Sequence, residues 1–104
     1  MVNVSDQQRR KKLAAYILAQ WYQQTSFKID DAAVASGYEH ATVAKLIPPC
    51  VGIISVGGLH GNHFFDESFA PENLIEPLGI SSRDLEIISN EAGLKSESKI
   101  KRLL

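Results

Sequence analysis

Leu13, Ile17 and Trp21 recur every fourth residue, and Ala14, Leu18 and Tyr22 widen the same stripe, while Arg10, Lys12, Gln20 and Gln23 fall on the other side. That period predicts an amphipathic helix from about Ser5 to about Gln24. Ser5 is placed to cap it, and Asp6 to meet the positive end of its dipole. Thr25 and Ser26 interrupt the pattern, and Phe27 reads as a core residue in the connection. A short second helix is expected over 29–36, ended by Gly37 in the left-handed conformation. Tyr38 follows in the turn, and a third helix is expected from 39 or 40 to 47. It is stopped by Pro48 and Pro49, which have no N–H to continue it.

Beyond the prolines the period changes. Val51, Ile53, Ile54 and Val56 are β-branched, and His63, Phe64 and Phe65 form a second short run. Between them lie Gly57, Gly58, Gly61 and Asn62, residues able to supply positive φ in a hairpin loop. Pro71, Pro77 and Gly79 predict a loop over 66–79 with one helical turn near 72–75. Ser81 or Ser82 then caps a helix to about Ala92, with Leu85, Ile88 and Ala92 on one face and Gly93 at its end. Ser96 caps a last short helix carrying Ile100, Leu103 and Leu104. The class expected is mainly α with a small β-hairpin: a three-helix core with the hairpin over 5–66, and two C-terminal helices over 67–104.

The spacing around Gly37 is the most specific feature. Two helices that cross closely need a small residue where the second passes over the first, a glycine four residues later, and apolar residues returning to the buried face. In the window 29–48, Ala33 is fifth, Gly37 ninth, Val43 fifteenth and Leu46 eighteenth. This pattern resembles the helix-turn-helix DNA-binding superfamily, and the hairpin directly after the third helix gives the element order of its winged-helix form. The resemblance covers about a fifth of the chain and matches no single regulator family. It implies a sequence-specific transcriptional regulator of bacterial, phage or plasmid type, with the helix around 39–47 in the major groove of duplex DNA. Val43, Leu46 and Ile47 would face inward, and Glu39, His40, Ala41, Ala44 and Lys45 outward, with Thr42 near the edge. Glu39 would accept from a cytosine amino group, and His40 and Lys45 would reach a guanine or a phosphate. Thr42 would reach a phosphate.

Charge changes this picture in both directions. Net charge over the 104 residues is −1, without the basic surplus usual for nucleic-acid binding. Residues 1–52 nevertheless carry six basic side chains (Arg9, Arg10, Lys11, Lys12, Lys28, Lys45) against four acidic ones (Asp6, Asp30, Asp31, Glu39), and residues 53–104 carry five against eight. A phosphate-facing surface is therefore expected in the first half, with Arg9, Arg10, Lys11 and Lys12 acting as a basic arm through counterion release. A second basic cluster falls at Lys99, Lys101 and Arg102. Asp30 and Asp31 oppose phosphate at the start of the second helix, and the hairpin loop offers only His60 and His63 where a DNA-gripping wing would carry Lys or Arg. These features favour the alternative of a winged-helix protein-interaction module, an adaptor or inhibitor that does not bind DNA.

The remaining candidate chemistry is thin. His60, His63 and Cys50, with His40 on another element, fall short of a recognisable zinc spacing, so no metal or other cofactor is expected. Cys50, between two prolines and a β-branched run, reads as a buried structural thiol rather than a nucleophile, and the glycines at 57, 58 and 61 match no phosphate loop. The chain is not expected to be an enzyme. Aligning Gly93 with Gly37 puts Ser89, Lys99 and Arg102 where Ala33, Val43 and Leu46 stand, so the C-terminal pair is not a second copy of the motif. Its apolar face is expected to pack on the core or to form a homodimer. A lone cysteine and the absence of a signal-type or membrane-length apolar run predict a cytoplasmic protein without membrane association.

Overall fold

The computed structural model describes the backbone of residues 2–103 and the side chains of 6–58 and 60–94. The fold is mainly helical with one two-stranded antiparallel hairpin. Helix α1 runs Val2–Tyr22, α2 Ile29–Ser36 and α3 His40–Leu46. Strands β1 (Ile53–Val56) and β2 (Asn62–Phe65) follow, joined by a 3-10 turn at Gly58–His60. A second 3-10 turn, Pro71–Leu74, leads into the single turn of α4, Ile75–Leu78, and then α5 spans Ser82–Leu103.

The stripe on α1 is the spine of the core. Leu13, Ala14, Ile17 and Leu18 are fully buried, Trp21 is half-buried, and Tyr22 has emerged to the surface at 37% exposure. Burying each of the larger aliphatic side chains is worth about 1.5–3 kcal/mol, which explains why α1 touches both α2 and α5. From the helix pair come Ile29, Ala32, Ala33, Val43 and Ile47; from the C-terminal part come Leu74, Leu78, Ile80, Leu85, Ile88 and Ala92. Leu85, Ile88 and Ala92 of α5 thus pack on the core of their own chain, while the side chains of Ile100, Leu103 and Leu104 lie outside the described residues.

Three sequence expectations are corrected. Helix α1 begins at Val2, so Ser5 lies inside it and is not its cap. Asp6 therefore serves as a side-chain partner rather than a dipole partner. The two expected C-terminal helices are one continuous helix. Gly93 has no positive φ and does not break α5. A Cβ there would meet the Tyr22 ring at 3.5 Å, an ordinary contact, so neither conformation nor crowding demands a glycine here. The residues after it include three Lys, three Leu, an Arg and a Glu, all good helix formers. In the hairpin loop, Gly57 and Gly58 take positive φ as expected, but Gly61 is extended and Asn62 is a strand residue.

The hairpin is fastened to the helices through its second strand. Ile53 pairs with Phe65 and Val56 with Asn62. On its other side β2 meets Phe27: the Phe27 N–H donates to the His63 carbonyl at 3.0 Å, and the His63 N–H donates to the Phe27 carbonyl at 2.7 Å. The inward face is aromatic, with Phe27 stacked on His63 (centroids 5.4 Å apart) and Phe65 set edge-on to Phe69 (4.8 Å). Gly52, at φ 92°, lies so close to the Phe69 backbone that any side chain would overlap it.

Candidate functional site

Helix α2 ends as its sequence dictates. Gly37 takes φ 83° and donates its N–H to the Ala33 carbonyl, closing the helix with the left-handed residue that only glycine adopts without cost. The next residue is held in place. The Tyr38 hydroxyl donates to Asp6 Oδ1 at 2.7 Å, and Arg9 lies over the Tyr38 ring at 6.0 Å. That hydrogen bond, together with the Arg10 guanidinium, holds the Asp6 carboxyl below its usual range. The turn between α2 and α3 is thus clamped to α1.

The turn sends α3 off with one side inward. Val43 and Ile47 are buried and Leu46 is half-buried, while Glu39, Ala41 and Lys45 are exposed and Thr42 is partly so. The four positions of the crossed-helix pattern therefore do what the spacing requires: Ala33 is small and buried, Gly37 turns, and Val43 and Leu46 pack. The neighbouring Ile47, at 1% exposure, is buried almost as completely as Val43.

The basic residues divide. Arg9, Arg10, Lys11 and Lys12 sit within α1, each turned about 100° from the last, so they form no single arm. Arg10 is committed internally: its Nε donates to Asp6 Oδ2 at 2.8 Å and its other nitrogen reaches the Leu78 carbonyl at 3.3 Å. Lys11 pairs with Asp84 on α5 at 3.6 Å. Arg9 remains exposed beside the turn, Lys12 is exposed on α1, and Lys28 is exposed immediately before α2.

The three histidines part company. His63, read from sequence as a polar loop residue, is 4% exposed and faces the core; burial lowers its pKa, opposed by the nearby backbone of Gly61 and Phe27. It offers nothing to a phosphate. His40 and His60 instead come together, their rings nearly parallel at 5.3 Å, and His40 Nε2 lies 3.1 Å from Asp30 Oδ1. The sequence separates these three residues by up to thirty positions, and pairing His60 with its neighbour His63 hid the grouping. Cys50 is far from reactive: burial pushes its thiol up to about 11.

The outer face of the hairpin is apolar. Ile54, Val56 and Phe64 are all exposed. A groove of about 630 Å³ opens beside it, walled by Trp21, Tyr22, Phe64 and Phe65 and floored by polar groups including Thr25 and Asp66.

Comparisons of the chain with family models, with curated proteins and with solved structures find no match. Among the described residues, no helix is long and apolar enough to cross a membrane.

Proposed function

We propose that this chain binds duplex DNA in a sequence-specific manner as a transcriptional regulator, presenting α3 to the major groove. One observation carries the reading. The helix that follows the Gly37 turn buries Val43 and Ile47 and leaves Glu39, Ala41 and Lys45 open to solvent, the division a groove-reading helix requires. Arg9 beside the turn and Lys28 ahead of α2 are the cations available for phosphates near that helix. Arg10 and Lys11, paired within the fold, contribute less. His40, engaged with Asp30 and His60, is a weaker base contact than Lys45. A second copy of the chain would place two such helices on successive grooves, and a homodimer belongs to the same proposal.

The exposed apolar face of the hairpin favours a second reading, an interaction module that binds protein. A wing that grips the DNA backbone needs cations, and Ile54, Val56 and Phe64 stand there instead. Mobility shifts on random duplex DNA at low and high salt separate the two. The DNA reading expects binding that weakens steeply with salt, because each neutralised phosphate releases counterions. Lys45→Ala should then relax sequence choice, while Arg9→Ala and Lys28→Ala should weaken binding to all sequences alike. No shift at either salt concentration leaves the protein-binding reading.

A further inference from the structure

We infer that Asp30, His40 and His60 form a binding site for one divalent transition-metal ion of the zinc class. Each of the three offers a ligand atom, and these atoms all lie within 4.8 Å of one another. Tetrahedral zinc, bonded to nitrogen and oxygen at about 2.0–2.1 Å, holds its donors roughly 3.3 Å apart, so small side-chain rotations complete the set. Two imidazoles and one carboxylate are a donor set that zinc and its neighbours in the series accept, with the remaining position left to water.

Three features separate this cluster from a chance meeting of polar surface groups. First, its members come from three different elements: Asp30 from the first turn of α2, His40 from the first turn of α3, and His60 from the turn of the hairpin. Second, His40 Nε2 is shielded from water, and among the described residues it has no aligned hydrogen-bond partner. The Asp30 carboxylate is near enough for charge attraction at 3.1 Å but is not directed along a bond. A shielded ring nitrogen left without a partner calls for an ion or a water. Third, the His40 and His60 rings lie nearly parallel with centroids 5.3 Å apart, close enough for a swivel of the exposed His60 ring to turn an in-plane nitrogen lone pair toward an ion held by His40. Metal ligands bind in their deprotonated form, so affinity at such a site is pH-dependent.

The ion would tie the hairpin turn to the starts of α2 and α3 and cancel the negative charge of Asp30. This site does not depend on what α3 binds, and its test uses no DNA. Zn²⁺ is titrated by calorimetry into the full chain carrying no affinity tag, and Co²⁺ is followed by its visible absorption as a report on ligand geometry. The expected result is one ion per chain with a rise in melting temperature on Zn²⁺ addition, because a ligand bound only to the folded state stabilises it. His60→Ala and Asp30→Asn should each weaken binding by about tenfold or more, since even loss of a supporting outer contact costs that much. His60 is exposed, so its removal leaves the fold intact, which circular dichroism checks. Cys50→Ser should bind as the wild type does. The inference is overturned if the wild type takes up no stoichiometric Zn²⁺, if His60→Ala and Asp30→Asn bind as tightly as wild type, or if binding is lost with Cys50 instead.

Discussion

Gly37 and Gly93 each follow a helix whose inner face is apolar, yet α2 stops at the first and α5 passes straight through the second. The difference lies in what surrounds each glycine. After Gly37 the chain is captured at once: Tyr38 bonds to Asp6 on α1, and five residues further on Val43 enters the core. At Gly93 the helix has no reason to turn: Ala92 beside it is buried in the core, and the Tyr22 ring lies at ordinary contact distance from where a Cβ would stand. One glycine provides a backbone conformation and the other is an ordinary helical residue. A glycine ends a helix only when the following residues gain more by turning than by continuing.

Four substitutions break or sharpen that contrast, the largest effect first. Ile47→Ala removes a fully buried side chain at the C-terminal end of α3 and should cost about 2–5 kcal/mol in urea unfolding, because the cavity adds to the lost transfer energy. A cost below about 1 kcal/mol would mean that α3 is not held to the core as described. Gly37→Ala should cost roughly 1–2 kcal/mol, the penalty for a Cβ in the left-handed region. The nearest atoms to that Cβ belong to Arg9 at 3.8 Å, an ordinary contact, so conformation rather than crowding is responsible.

Tyr38→Phe tests the clamp through pH. Asp6 has a lowered pKa in the folded state, chiefly from the Tyr38 hydroxyl, so its contribution is present above the ordinary carboxylate value of 3.8 and is lost as pH falls through the lower folded value. The variant should lower the melting temperature at neutral pH and show a shallower decline in stability as pH falls below the ordinary carboxylate value of 3.8. An unchanged acid limb would remove the clamp from the account of the turn. Gly93→Ala should be the mildest, neutral or stabilising by up to about 1 kcal/mol from helix propensity, because the new methyl meets Tyr22 at ordinary van der Waals distance. Destabilisation as large as that of Gly37→Ala would erase the distinction between the two glycines.

Much of the fold was legible because it is written in local periodicity. The bounds of α2, the stop at Pro48 and Pro49, the hairpin, and the buried faces of α1 and α5 each follow from residues within a few positions of one another. Gly93 departs from its expected role because a glycine looks the same in sequence whether it turns the chain or continues a helix. Ser5 was misread as a cap because a helix start is signalled by short polar residues that are also tolerated within a helix.

The candidate site divides along the same line. The outward positions of Glu39, Ala41 and Lys45 follow from a helical period that the sequence alone supplied, whereas Ala44 packs partly on the core and His40 is partly covered. Pairing Arg10 with Asp6 and Leu78, Lys11 with Asp84, and His60 with His40 and Asp30 depends on elements that meet only after the chain has packed. Charge and coordination act across space at a few ångströms, and no local pattern records which distant side chains a fold will bring that close.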